Sequence, residues 1–211
     1  MTTSSDDADL VERAKRGCAE SVAALAARHQ VAVVDYASRL LARRGGNRAD
    51  AEDVAQESLV RALHRLDRHD SCWPFATWLF AITRRRCLNH LRAARRRAVR
   101  ETCHVGPCGS AAGDDPHATA VAREESARLW ATAARELTEP QFSALWLRTV
   151  EDQPVAAIAR VLGRPPATVK VLLFRGRRRL AAALGVAEAD AAVTLPLRTP
   201  AIAPVRRSSH G

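Results

Sequence analysis

The chain has no apolar run of the ~18 residues that a membrane-spanning helix needs. It also has no basic start followed by a short apolar core, the mark of a secretion leader. A soluble, cytoplasmic protein without membrane insertion is therefore expected. Lysine is nearly missing: Lys15 and Lys170 stand alone, and the other basic charge is arginine. No stretch alternates apolar and polar residues with period two, which leaves no recognisable strand and predicts an all-α fold. Five cysteines, an odd number, argue for free thiols over a disulfide framework. The one grouping that raises a metal question is Cys103, His104 and Cys108 with His117, and it lacks the paired spacing of a zinc site. No metal and no cofactor are expected.

What the chain does have is positive charge. Lys and Arg outnumber Asp and Glu by 33 to 23, for a formal charge of +10 and a pI near 10.7. That balance favours a polyanionic partner, nucleic acid above all. The 211 residues suffice for one mid-sized domain or two small ones.

Helical periodicity organises the rest. Residues 1–7 are polar and expected to be disordered. Leu10, Val11 and Ala14 begin a helical pattern that breaks at Gly17. A long helix follows with Val22, Leu25, Val33, Val34, Ala37, Leu40 and Leu41 on its apolar face, stopping at Gly45-Gly46-Asn47. Asp50 resembles an N-cap for the next helix, whose Val54, Leu59, Leu63 and Leu66 face a core. Pro74 then suits the start of another. Residues 98–120 mix Gly, Pro, Ser and Asp without period and read as a flexible linker. Helical pattern resumes from 121, with Thr138 a candidate N-cap, and the tail 186–211 is expected to be disordered. Two small helical domains on a tether are predicted, at 8–97 and 121–185.

"PVAAIARVLGRPPATVKVLLFRGRRRL" carries the marks of a helix-turn-helix. Ala159 supplies a small contact, Gly163 the turn, and Pro165-Pro166 the start of the second helix. Ile158, Leu162, Val169 and Leu172 or Leu173 supply the shared core. With Val169, Leu173, Gly176 and Leu180 turned inward, the other face shows Thr168, Lys170, Val171, Phe174, Arg175 and Arg178. The first residues of such a helix meet base edges and the basic ones beyond reach phosphates. Val171 and Phe174 suit thymine methyls, or partial burial.

"TWLFAITRRRCLNHLRAARRR", residues 77–97, begins like a core and ends as a polycation. Residues 71–100 hold eight arginines and no acid. Such a helix can dock by its aromatics and still follow a phosphate backbone, with aromatic and Arg planes stacking on unpaired bases. Trp78 and Phe80 are read as core, whereas Trp73, in the loop, suits either role. The preceding helix carries an acidic-polar stripe, Asp50, Asp53, Gln56 and Glu57. It is either a solvated face or a surface for a basic protein.

Residues 49–97 resemble region 2 of the bacterial extracytoplasmic-function (ECF) sigma factors, of the sigma-70 family, and residues 137–184 resemble their region 4. "DADLVERAKRGCAESVAALAARHQ" is similar to the first helices of that group. The resemblance covers about residues 8–185, without the linker and tail. It implies a transcription initiation factor, not an enzyme, that binds core RNA polymerase through the β′ clamp helices and the β subunit. It implies promoter DNA as partner, double-stranded at −35 and melted at −10, in the bacterial cytoplasm at the nucleoid. On this resemblance Asp50, Asp53, Gln56 and Glu57 dock on polymerase. Trp73, Arg84, Arg85, Arg86, Asn89, His90 and Arg92 hold the −10 element, and Thr168, Lys170, Val171, Phe174, Arg175 and Arg178 hold the −35 element. An anti-sigma factor is a further candidate partner. Two departures stand out: Arg85 where the group often has Asn, and Val171 where Ser is common, so neither promoter sequence carries over. Two other readings stay open. A stand-alone helix-turn-helix regulator would need a dimer interface or receiver domain that the sequence does not display. A thiol- or metal-dependent enzyme would need a scaffold around Cys103, His104, Cys108 and His117.

Overall fold

The computed structural model describes residues 3–101 and 120–185. Within them the chain forms eight α-helices and no strand, as the missing period-two pattern predicts. They are α1 (Thr3–Lys15), α2 (Ala19–Ala42), α3 (Arg48–Leu63), α4 (Phe75–Glu101), α5 (Ala120–Glu136), α6 (Glu139–Thr149), α7 (Val155–Leu162) and α8 (Pro166–Leu184). Most of the expected linker, with Cys103, His104, Cys108 and His117, and the whole expected tail lie outside the described residues.

Two helix starts differ from expectation. α1 begins at Thr3, inside the stretch expected to be disordered. Its first turns are held from α2: Arg28 pairs with Asp6 and Asp7, and His29 Nε2 lies 2.8 Å from Asp7 Oδ2. α3 is capped by Asn47, not Asp50. Asn47 Oδ1 accepts from the Asp50 backbone N–H at 2.7 Å, and Asp50 Oδ2 accepts from the Asn47 N–H at 3.1 Å. Asp50 is thus the third residue of a reciprocal capping box, which satisfies two orphan amides at once.

Helices α1 to α4 share one core. Leu25, Val33, Tyr36, Ala37, Leu40 and Leu41 of α2 meet Ala51, Val54, Ala55 and Leu59 of α3 and Phe75, Leu79 and Phe80 of α4, all buried. Helices α5 to α8 add to the same core around Trp130, Phe142 and Trp146, with the two indoles 4.7 Å apart and edge-on. α8 runs across α6 so closely that a Cβ on Gly176 would sit 2.9 Å from Leu145 Cδ1. The α7–α8 turn is made by Gly163 in the left-handed region (φ 61°), where the Arg164 N–H returns to the Ala159 carbonyl at 3.0 Å.

The two halves are packed on each other through α2 and α4. Arg43, at the end of α2, donates to the Ala134 carbonyl at 2.8 Å and also to Leu137 O, and so supplies the missing C-terminal partners of α5. Thr77 of α4 donates to Gln153 at 3.0 Å. Glu151, after α6, feels the charges of Asp35 and His29 of α2. Burial pushes its carboxyl up to about 7 from an ordinary 4.5, and the Asp35 charge adds to the effect.

The folded chain therefore holds a proton on Glu151 that the unfolded chain releases, between pH 4.5 and about 7. Stability from this group falls as pH rises through that window and is level above it. Glu151→Gln removes the charge. The variant should gain stability relative to the parent as pH rises from 4.5 to 7, read as the difference in Tm across a pH series.

Candidate nucleic-acid interface

Three surfaces bring the sequence-singled residues together. The first is α8. Val169, Leu173, Gly176 and Leu180 are buried, while Lys170, Val171, Phe174, Arg175 and Arg178 are exposed and Thr168 is half-buried. At 100° per residue the buried stripe points opposite to Val171 and Phe174. The partial burial left open for these two is thereby excluded: Phe174 is 66% exposed and Val171 46%. Pro165 is the N-cap and Pro166 the first helical residue, which presets the entry angle of the helix.

The second surface is a groove between α3 and α4. A cavity of about 600 Å³ is lined by Arg61, Arg65, Arg68, Arg85, Arg86 and Asn89, with Trp78 and Ile82 among its walls. Arg85 and Asn89 are exposed, and Arg92 donates to the Asn89 side-chain carbonyl at 3.3 Å. Phe80 is buried, as expected, but Trp78 is only half-buried and presents part of its ring to the arginines. Arg61, Arg65 and Arg68 were not singled out by sequence reading. Their i, i+4, i+7 spacing is the signal that would have found them.

Five guanidiniums around one half-exposed indole can track a phosphate backbone and stack on a base. No hydrolytic or redox chemistry follows from this set. Among the described residues no group of three or more His, Cys, Asp or Glu could hold a metal ion. Cys87 is buried in α4, with its thiol pushed up to about 12 by burial, so it is held as an unreactive thiol.

The third surface is the acidic stripe of α3, which the structure divides. Asp50 and Glu57 turn toward α4, where His90 Nε2 lies 3.5 Å from Asp50 and Arg86 pairs with Glu57. Asp53 and Gln56 point outward and are exposed.

Arg84 and Trp73 do not join the groove. Arg84 makes a bidentate ion pair with Glu139 of α6, both bonds 2.8 Å long, and the two side chains are only 16% and 22% exposed. Glu139 also accepts from Ser143 Oγ at 2.9 Å, and Ser143 accepts from the buried Tyr36 hydroxyl at 2.9 Å. The Trp73 ring lies 4.9 Å beneath the Arg160 guanidinium, which reaches Asp70 at 3.3 Å. Both residues expected on the −10 element therefore stand at the junction of the two halves. Their sequence neighbours gave no hint of this, because the partners lie 55 and 87 residues downstream.

Breaking a largely buried pair leaves one charge uncompensated, at a cost of roughly 3–5 kcal/mol. Glu139→Gln should lower the unfolding free energy by about 3 kcal/mol in denaturant titrations. The apolar double variant Arg84→Met/Glu139→Leu should lie closer to the parent than either single change.

Comparison with known proteins agrees with this arrangement. Residues 25–97 match the family model "Sigma-70 region 2", and residues 127–180 match "Sigma-70, region 4". The RNA polymerase sigma factor CnrH of Cupriavidus metallidurans is 31% identical over 191 residues, which cover 85% of this chain and 95% of that one. The RNA polymerase sigma-H factor of Pseudomonas aeruginosa is 29% identical over 190 residues, 87% and 96% of the two chains. The solved structure of CnrH in complex with the cytosolic domain of CnrY superposes with a TM-score of 0.60 at 28% identity, covering 85% of this chain and 97% of that chain. A sigma factor RpoE from Bartonella quintana, solved with the anti-sigma factor NepR, shares the fold at a TM-score of 0.57 and 21% identity, covering 75% and 96%. Region 2 followed by region 4 on an all-helical fold makes this chain a member of the ECF group of sigma-70 factors, which direct RNA polymerase to promoters in transcription initiation.

Proposed function

We propose that the chain divides promoter recognition between its two cationic surfaces. The exposed face of α8 lies in the major groove of the −35 duplex, with Thr168, Lys170, Val171 and Phe174 toward the bases and Arg175 and Arg178 toward phosphates. The arginine groove takes the melted −10 strand. Arg85, Arg86, Asn89 and Arg92 follow its backbone with Arg61, Arg65 and Arg68, and Trp78 offers a stacking surface. Extracting a base costs a few kcal/mol, and stacking returns ~1–3 kcal/mol per base, so the groove can hold open what polymerase melts. The observation that carries the reading is this pair of separate basic surfaces, one built on a helix-turn-helix and one around a half-exposed indole.

Asp53 and Gln56, outward on α3, would meet the β′ clamp helices, with Asp50 and Glu57 joining them if His90 and Arg86 turn to DNA. In this reading residues 8–97 and 121–185 are the two working units and 98–120 the tether between them. The −35 and −10 elements are centred about 25 base pairs apart, or about 85 Å along B-form DNA. A packed chain of this length has a radius of gyration of only about 17 Å. Both elements can be engaged together only when the junction at Arg84–Glu139 opens, which also frees Arg84 and Trp73 for the −10 strand. An anti-sigma factor that holds the halves together is the matching proposal for control. That CnrH was solved with the cytosolic domain of CnrY, and RpoE with the anti-sigma factor NepR, supports a protein partner of this kind.

Run-off transcription with bacterial core polymerase and genomic promoter fragments tests the reading. Discrete transcripts that require this chain are expected, and no transcript together with no co-elution with core would overturn it. Arg175→Ala/Arg178→Ala should weaken duplex binding and reduce the slope of log K against log salt by about 1.8, which is ~0.9 for each phosphate no longer neutralised. An unchanged slope would remove α8 from the DNA.

A further inference from the structure

The turn after α6 meets the other half of the chain, and it is held there under constraint. Asp152 has φ 49°, and among the described residues it is the one non-glycine in the left-handed region. Such a conformation persists where its surroundings over-determine it. Here the Gln153 backbone N–H returns to the Leu147 carbonyl at 2.8 Å, and Arg148 Nη1 donates to the Gln153 carbonyl at 3.2 Å. Thr77 of α4 holds the Gln153 side chain from across the junction, at 3.0 Å. So clamped, the turn keeps the half-buried Glu151 within reach of the charges on α2.

Two charged groups of α2 act on that carboxyl in opposite senses: Asp35 opposes its ionisation and His29 favours it. His29 is already engaged, 2.8 Å from Asp7, which Arg28 also holds. Arg39 is divided as well, with its guanidinium 5.8 Å over the Trp146 ring and its charge acting on Asp35. Arg148 is turned to the Gln153 carbonyl. The Trp146 indole N–H, buried without a hydrogen-bond partner, favours the carboxylate too. Burial outweighs these helpers and keeps the proton on Glu151 up to about pH 7. Parted from α2 and hydrated, the same group titrates near an ordinary 4.5. The closed chain therefore binds a proton that the open chain gives up, and rising pH within that window favours opening.

We propose that Glu151 is a proton-operated latch: with its proton it lets the second half seat on α2, and as the carboxylate it drives the halves apart and releases the two basic surfaces. The latch rests on the proposed opening of the junction, and adds what sets the balance of that opening in the free chain.

Energy transfer between two dyes tests this on the full chain, with one dye at Ala49 of α3 and one at Arg179 of α8, both exposed. The ratio of open to closed chain should rise about 70-fold between pH 5 and 8, levelling off above pH 7. Glu151→Gln keeps the shape of the protonated acid and should stay near the parent's low-pH ratio throughout. Asp35→Asn removes the opposing charge and should move the transition to lower pH. A parent ratio that does not respond to pH, or a Glu151→Gln variant that follows the parent, overturns the latch alone. Core polymerase and promoter DNA are then added, and the dyes should move apart in parent and Glu151→Gln alike. Dyes that stay close in that complex overturn the opening of the junction as well.

Discussion

The carboxylate of Glu139 is where the two halves of this protein are joined. It receives two hydrogen bonds from Arg84 and one from Ser143, and Ser143 is held in turn by the hydroxyl of Tyr36. Around that chain lie further contacts between the halves: Arg39 over Trp146, Arg43 on the end of α5, Thr77 with Gln153, Arg160 on Trp73, and a buried apolar core to which both halves contribute. A charged and hydrogen-bonded joint differs from an apolar one in how it can be undone. Its groups regain hydration when exposed, whereas separated hydrophobic faces gain nothing from water.

Charge is sorted with the same economy over the rest of the molecule. The acids of α3 and the arginines of α4 lie on adjacent helices, and the contacts of Asp50 with His90 and of Glu57 with Arg86 run between them. The acidic face therefore shields one flank of the arginine groove and leaves the other to solvent. In the proposed reading a polyanion would meet the arginine groove and a basic partner the outer side of α3, where Asp53 and Gln56 are exposed.

Much of this was legible in the sequence. The all-α class followed from missing alternation, and the inward stripe of α8 from its spacing, with all four of its members buried. The helix-turn-helix was legible because its signals are local: a small residue, a glycine and two prolines within eight positions. What escaped were features made by distant residues. Tyr36 reads as one more apolar residue on α2 until Ser143 stands beside it, 107 positions later. Arg84 looks the same as Arg85 and Arg86 in the run, and only Glu139 separates their roles. The start of α1 escaped for the same reason, since polar residues at a terminus suggest disorder until Arg28 and His29 are seen to hold them.

The placement of Arg43 carries a consequence for the order in which the chain is made. The last carbonyls of α5 have no partner within their own helix, and the guanidinium that receives them belongs to α2. α2 leaves the ribosome more than eighty residues earlier. Helices emerging first can close their own core before the later ones exist. In that order of synthesis the side chain that terminates α5 exists before α5 does. The end of a helix in the second half is thus written in a residue of the first.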